Sequence, residues 1–505
     1  MSKNTFFITT PIYYSNGVPH IGHAYSSFIA DTIARFERLQ MKEVFFSTGV
    51  DENSQKVVES AVSLGMETLQ YADMMAEKHK SVWDGIGIEY TDFIRTTENR
   101  HKDFVQEVLQ KSYDNGDIYE GIYEGLYCVG CEAFKKESDL NLIDGKYICS
   151  DHPNKSLEHL KEKNYFFRLS KYQDRILDFY EKNPDFVSPR SRFNEIIEFV
   201  KGGLDDFSIS RETNKFGITL PFDSDQVTYV WYDALFNYLT VCGDEKEKWW
   251  PANLHVIGKD IVKFHGIYWL AMLWSAGYEA PEKLLTTGHF TAEGQKMSKS
   301  LGNVIDPVEY CKNYSRDMLL LYLFTAFPIG EDGDFSHEQA LLTFNAKLSN
   351  NLGNLLNRFI ALSLKLDGKI HKEKEYSDEI IDSEKYLKSY FENMNAYNLK
   401  SALECAFEYS SEINKYVDTQ APWKIDITEE NNRKNLEYIL FILVSNLRRV
   451  TLMLLPFFPT KMNELLIRIG TPYEKGVSLA EQCEREIDSF TVLEKGEPLY
   501  MRLAK

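Results

Sequence analysis

Residues 6–9 read Phe-Phe-Ile-Thr, an apolar run separated by a turn at Ser15-Asn16-Gly17 and Pro19 from a helical pattern over Ile21–Leu39. A strand feeding a helix in this way is half of a βαβ unit, and repeated units build a parallel sheet with helices on its faces. Ligands of such sheets lie outside the carboxyl ends of the strands, against helix N-termini whose N–H groups favour phosphate. His20 and His23 stand at that helix start, three residues apart around Gly22, so both rings share one face. By itself the stretch also fits a polar turn with two solvated histidines.

Strand and helix alternate through Glu43-Val44-Phe45-Phe46-Ser47 to about residue 116. Tyr- and Gly-rich pieces, beginning Asp117-Ile118-Tyr119, then run to about Phe222. The alternation resumes at residues 227–231 (Val-Thr-Tyr-Val-Trp) and at Leu254–Gly258, both predicted as strands of the same sheet. Past about Phe335 long amphipathic helices take over. The expected class is α/β: a parallel-sheet domain in two halves, 1–116 and 223–295, split by an insert at 117–222. A linking region at 296–345 and an all-α domain at 346–505 follow, in keeping with a 505-residue chain.

No apolar run approaches the roughly 20 residues a bilayer span needs. The N-terminus carries neither a signal-peptide nor a transit-peptide pattern. A cytoplasmic protein without a membrane partner is expected. A net charge of −19 argues against a general nucleic-acid coat, yet leaves room for a local basic patch. Cys242, Cys311, Cys405 and Cys483 are scattered and read as buried thiols. The other three cysteines cluster: Cys128-Val129-Gly130-Cys131 is followed by Cys149-Ser150-Asp151-His152. Two such knuckles match tetrahedral zinc, and four protein ligands leave no open position, so the metal would be structural. Further on, Lys296-Met297-Ser298-Lys299-Ser300 lies on a glycine-flanked loop. Its two lysines suit a mobile clamp on polyphosphate.

His20-Ile21-Gly22-His23 and residues 296–300 match, letter for letter, the two signatures of the class I aminoacyl-tRNA synthetases, which this chain resembles. The resemblance implies a Rossmann-type catalytic domain, adenylate formation from ATP and transfer of the acyl group to tRNA. His20, Gly22 and His23 with Lys296, Ser298 and Lys299 would then bind ATP, Asp260 its ribose, and magnesium would accompany the polyphosphate. His20, His23, Lys296 and Lys299 would be the catalytic set. The insert is too short for the editing domain of the leucine, isoleucine and valine enzymes. Stretches such as Val230-Trp231-Tyr232-Asp233-Ala234 and Lys259-Asp260-Ile261-Val262-Lys263-Phe264-His265 are most similar to the methionyl branch in its single-zinc form. That likeness implies a methionine pocket of Ile12, Tyr14, Trp231, Ala234, Tyr238, Ile261, Phe264 and His265, with Asp51 on the substrate ammonium. After Asp51 the chain reads Glu52-Asn53-Ser54-Gln55, where the family pattern leads one to expect a His-Gly pair.

In the helical region Asn354 and Arg358, four apart on one face, and Trp423 after Ala421-Pro422 resemble the branch's readers of the CAU anticodon. The partners implied are ATP, L-methionine and tRNA(Met), both initiator and elongator. Without a sustained heptad seam the chain is expected to be a monomer. Three alternatives carry less. A non-catalytic tRNA-binding protein derived from a synthetase would be expected to lose His20, His23, Lys296 and Lys299 first, and all four are intact. A nucleotidylyltransferase would leave the insert and the helical domain without purpose, and the cysteine enzyme would need its zinc in the active site.

Overall fold

The computed structural model describes residues 4–128, 133–135, 140–143, 145–150, 153, 155–212, 216–297, 303–372, 381–492 and 496–504. They group into two compact units. One is made of Phe7–Pro19 and Phe45–Thr287; the other takes the residues before Phe7, His20–Val44 and the chain from Gly288 onward.

The first unit is built on a six-stranded sheet ordered Asp92–Arg95, Glu43–Asp51, Thr5–Tyr14, Leu254–Gly258, Leu284–Thr287 and Val187–Ser188. Its ladders are parallel, with Ile8 opposite Leu254, His255 opposite Leu284 and Ser47 opposite Asp92. Phe7, Ile8, Val256, Ile257 and Leu284 are fully buried, as expected of strands covered on both faces. The edge strand Val187–Ser188 comes from within residues 117–222 and pairs in parallel with Leu284–Thr287. Much of the remainder of that stretch is antiparallel. Ile118–Cys128 runs against Leu157–Phe167 from Ile118↔Phe167 to Cys128↔Leu157, and a second hairpin joins Leu140–Ile143 to Lys146–Cys149.

Residues 227–231 are not one strand of the parallel sheet. Asp223–Thr228 is the middle strand of a small antiparallel sheet, and Val230–Leu235 is a helix. Thr228 Oγ1 donates to Asp233 Oδ2 at 2.8 Å, folding the chain back at Tyr229. Tyr232, Asp233, Ala234 and Leu235 are all buried, and a run that is buried all round looks the same in sequence as helix or strand.

The second unit opens with the helix Ile21–Leu39. A three-stranded sheet of Gln295–Lys296, Phe290–Ala292 and Gly333–Phe335 follows, with Tyr25 packed edge-on against Phe290 at 4.9 Å. Beyond it helices dominate, the longest being Leu399–Gln420 and Glu430–Leu454. Two short strands, Lys369–His371 and Ser489–Thr491, pair antiparallel. Among the described residues each unit has one π-helical segment, Phe264–Tyr268 in the first and Asn345–Gly353 in the second. Among the described residues no helix is long and apolar enough to cross a membrane. Cys242, Cys405 and Cys483 are buried and Cys311 is half-buried.

Candidate active site

The histidine pair is the N-cap of the Ile21–Leu39 helix. His20 Nδ1 accepts from the Gly22 N–H at 3.1 Å, and His23 Nδ1 accepts from the His20 N–H at 3.1 Å. This is the reciprocal capping-box arrangement, with imidazoles in place of the usual hydroxyl and carboxylate. Because each Nδ1 accepts, the neutral rings carry their proton on Nε2 and present an N–H donor there. The rings lie 4.0 Å apart, centre to centre. Gly22 permits the fold-back, since a Cβ there would stand 2.9 Å from His20 Cε1. In the same unit the Ile21 N–H donates to Ile305 O at 3.1 Å, and that Cβ position would lie 4.0 Å from Met297 Cε. The two signature stretches are therefore brought side by side. Lys296 ends the strand Gln295–Lys296, while Ser298 and Lys299 lie outside the described residues.

The other unit gathers the predicted amino-acid pocket. Trp231 stacks face to face on Phe264, 3.9 Å between centres and 4° from parallel, both half-buried. Both rings, Ile12 and Ile261 pack against the core cluster that contains Tyr238. His265, on the π-helical turn, is buried; its Nδ1 donates to Ile261 O at 3.0 Å and Nε2 accepts from the Tyr238 hydroxyl at 2.7 Å. Burial pushes its pKa down to about 4, so the ring is neutral. Tyr14 has the Lys56 ammonium 4.8 Å from its ring centre. Asp260 is exposed on the short helix Lys259–Ile261, just past the strand Leu254–Gly258.

Asp51 is buried at the end of Glu43–Asp51. In the stretch after it, where the family pattern leads one to expect a His-Gly pair, Glu52, Asn53 and Ser54 are each tied down locally. Glu52 is fully buried, with Arg95 Nε donating to it at 2.9 Å and Thr97 as a second donor. Asn53 Nδ2 donates to Asp233 Oδ2 at 3.2 Å, and Ser54 caps the helix Gln55–Ser63. Asp233 is fully enclosed, and burial pushes its pKa up to about 8 against the opposing bonds from Thr228 and Asn53. The role of Asn53 and Asp233 was not legible beforehand: they are 180 positions apart in sequence.

Cys128 and Cys149 end their strands fully buried in one cluster with Leu140. Two thiols at one buried point fit half of a tetrahedral set. Their proposed co-ligands Cys131 and His152 lie outside the described residues. Among the described residues no three His, Cys, Asp or Glu side chains gather as a metal site.

In the helical region Asn354 is exposed, and Arg358 ion-pairs with Asp418 at 2.8 Å. The Arg358 guanidinium lies 5.8 Å from the centre of the Trp423 ring, which is 46% exposed. A polar groove lined by Asn350, Asn351, Ser411, Asn414 and Asp418 adjoins them. Asn351 there accepts from Ser410 at 2.6 Å and from Asn414 at 2.9 Å, an amide cluster that sequence reading missed.

The family profile described as tRNA synthetases class I (M) matches residues 6–149 and 138–360. This fold, with its helix capped by the paired histidines, is that of a class I tRNA synthetase. The methionine–tRNA ligase of Thermotoga maritima is 40% identical over 99% of this chain and 80% of its own length. That of Rickettsia conorii is 42% identical over 94% of each. Mycobacterium tuberculosis methionyl-tRNA synthetase, solved in complex with methionyl-adenylate, superposes with a TM-score of 0.94 at 35% identity, covering 99% of this chain and all of that one. The chain belongs to the methionine–tRNA ligase family.

Proposed function

We infer that this chain joins L-methionine to tRNA(Met), initiator and elongator, in two steps driven by ATP. The methionine carboxylate attacks the α-phosphorus, the bond to the β-phosphate oxygen breaks, and pyrophosphate leaves. The terminal ribose hydroxyl of tRNA then attacks the methionyl carbonyl and AMP departs. The observation that carries the reading is the full-length likeness to a synthetase solved with methionyl-adenylate.

Phosphoryl-type transfer depends on positioning and on stabilising charge. The Nε2–H donors of His20 and His23 suit phosphate oxygens, Lys296 and Lys299 the departing pyrophosphate, and Asp260 the ribose. Magnesium is expected with the polyphosphate. Trp231 and Phe264 offer aromatic walls to a polarisable thioether, a contact favourable by about 0.3–1.5 kcal/mol. The neutral His265–Tyr238 pair supports a polar end to that pocket, and Asp51 takes the ammonium. Cys128, Cys131, Cys149 and His152 would hold one structural zinc, stapling the insert. Asn354, Arg358 and Trp423 would read the anticodon by hydrogen bonds and stacking. The domain layout proposed from sequence, a monomeric state and a cytoplasmic location complete the reading. ATP–pyrophosphate exchange with each of the twenty amino acids tests it: methionine alone should support exchange, and preference for cysteine or leucine would overturn it.

A further inference from the structure

Asn53 stands between two carboxylates. Its backbone N–H donates to Asp51 Oδ1 at 3.3 Å, while its side-chain amide donates to Asp233 Oδ2 at 3.2 Å and to Thr96 O at 3.3 Å. Asp233 is fully buried, and its Oδ2 also accepts from Thr228 at 2.8 Å; among the described residues Oδ1 meets no hydrogen-bond partner. The helix Val230–Leu235 that carries Asp233 also carries Trp231 and Ala234. One amide thus ties the strand end bearing Asp51 to the helix bearing the stacked tryptophan. Asn53 is itself buried, so its bonds act without competition from water.

We propose that Asn53 is a positioning residue for methionine: it holds the Asp51 loop and the Trp231 helix at the separation the substrate's ammonium and side chain require. The proposal rests on the reading that Asp51 binds the ammonium. It gives Asn53 a specific task, because a side chain without a donor there would take one hydrogen bond from the Thr96 carbonyl and one from Asp233, leaving Asp233 the bond from Thr228.

The test is pyrophosphate exchange by the full chain with methionine and ATP varied separately. Asn53→Leu keeps the size of the side chain and removes its donors. Loss of a hydrogen bond to a buried carboxyl should raise the KM for methionine about tenfold while the KM for ATP moves by less than about twofold. Asn53→His, which regains an N–H, should recover most of the loss, and Thr228→Val should shift methionine in the same direction. Asn53→Ala, which also lacks a donor, carries the same expectation and decides the matter if the leucine variant does not fold. A folded variant with the parent's methionine KM overturns the proposal, as does a lower Tm with kcat and both KM values worsened in proportion. Asp51→Asn, run in parallel, separates the two failures. If it leaves methionine KM unchanged, the reading of Asp51 falls and takes this proposal with it. If it raises KM and Asn53→Leu does not, only the proposal falls.

Discussion

Trp423 is 46% exposed and within cation–π distance of Arg358, so its ring has little core packing to lose. Trp423→Ala should therefore leave Tm and methionine-dependent pyrophosphate exchange near the parent values. Loss of a base–aromatic stack worth about 1–3 kcal/mol should lower the efficiency of tRNA charging by about ten- to a hundredfold. Arg358→Ala should do the same, because its surface pair with Asp418 contributes little to folding. Changing the anticodon should then matter less to either variant than to the parent. A fall in Tm with both half-reactions depressed together would make the ring a packing residue. A lone tryptophan is ordinarily well buried, and the exposure of Trp423 is what argues against a packing role. Asn351 and Asn414 gave no hint in sequence, since each is one polar residue among many on a helix until the fold sets them side by side.

The helix Ile21–Leu39 was legible to the residue because its start is locally encoded: a turn, a capping pair and an apolar face all agree. Residues 227–231 were not legible, because the bond that ends the strand reaches Asp233, outside any local alternation. The His20 cap yields a prediction in which stability and activity part. Gly22→Ala gains about 1 kcal/mol of helix propensity and loses about as much from the displaced cap. Tm should barely change, while kcat of exchange should drop at least tenfold because the displaced ring no longer meets the phosphate. An unchanged kcat would remove His20 from the chemistry. For the hairpins ending at Cys128 and Cys149, elemental analysis should return one zinc per chain. Cys128→Ser or a strong chelator should remove it and lower Tm. A metal-free parent protein of equal Tm would sink the zinc assignment.

At the scale of the molecule, light scattering should return the mass of one chain, 58.7 kDa, since the long helices show no sustained heptad seam. Twice that mass would overturn the monomer. The parallel sheet and the helical region were foreseeable from periodicity, but the two π segments were not, because a widened turn leaves no trace in the apolar pattern. Their presence bears on how the chain tolerates changes of length. A π turn arises when an α-helix absorbs an extra residue while its later turns keep their orientation. A chain one residue shorter within Asn345–Gly353 should close into regular α-helix with Asn354 and Arg358 still on their face, and should still charge tRNA. The same deletion inside Asn354–Ser363 would turn the remaining face by about 100° and abolish charging. Natural insertions and deletions should therefore be found in the first of these stretches and absent from the second.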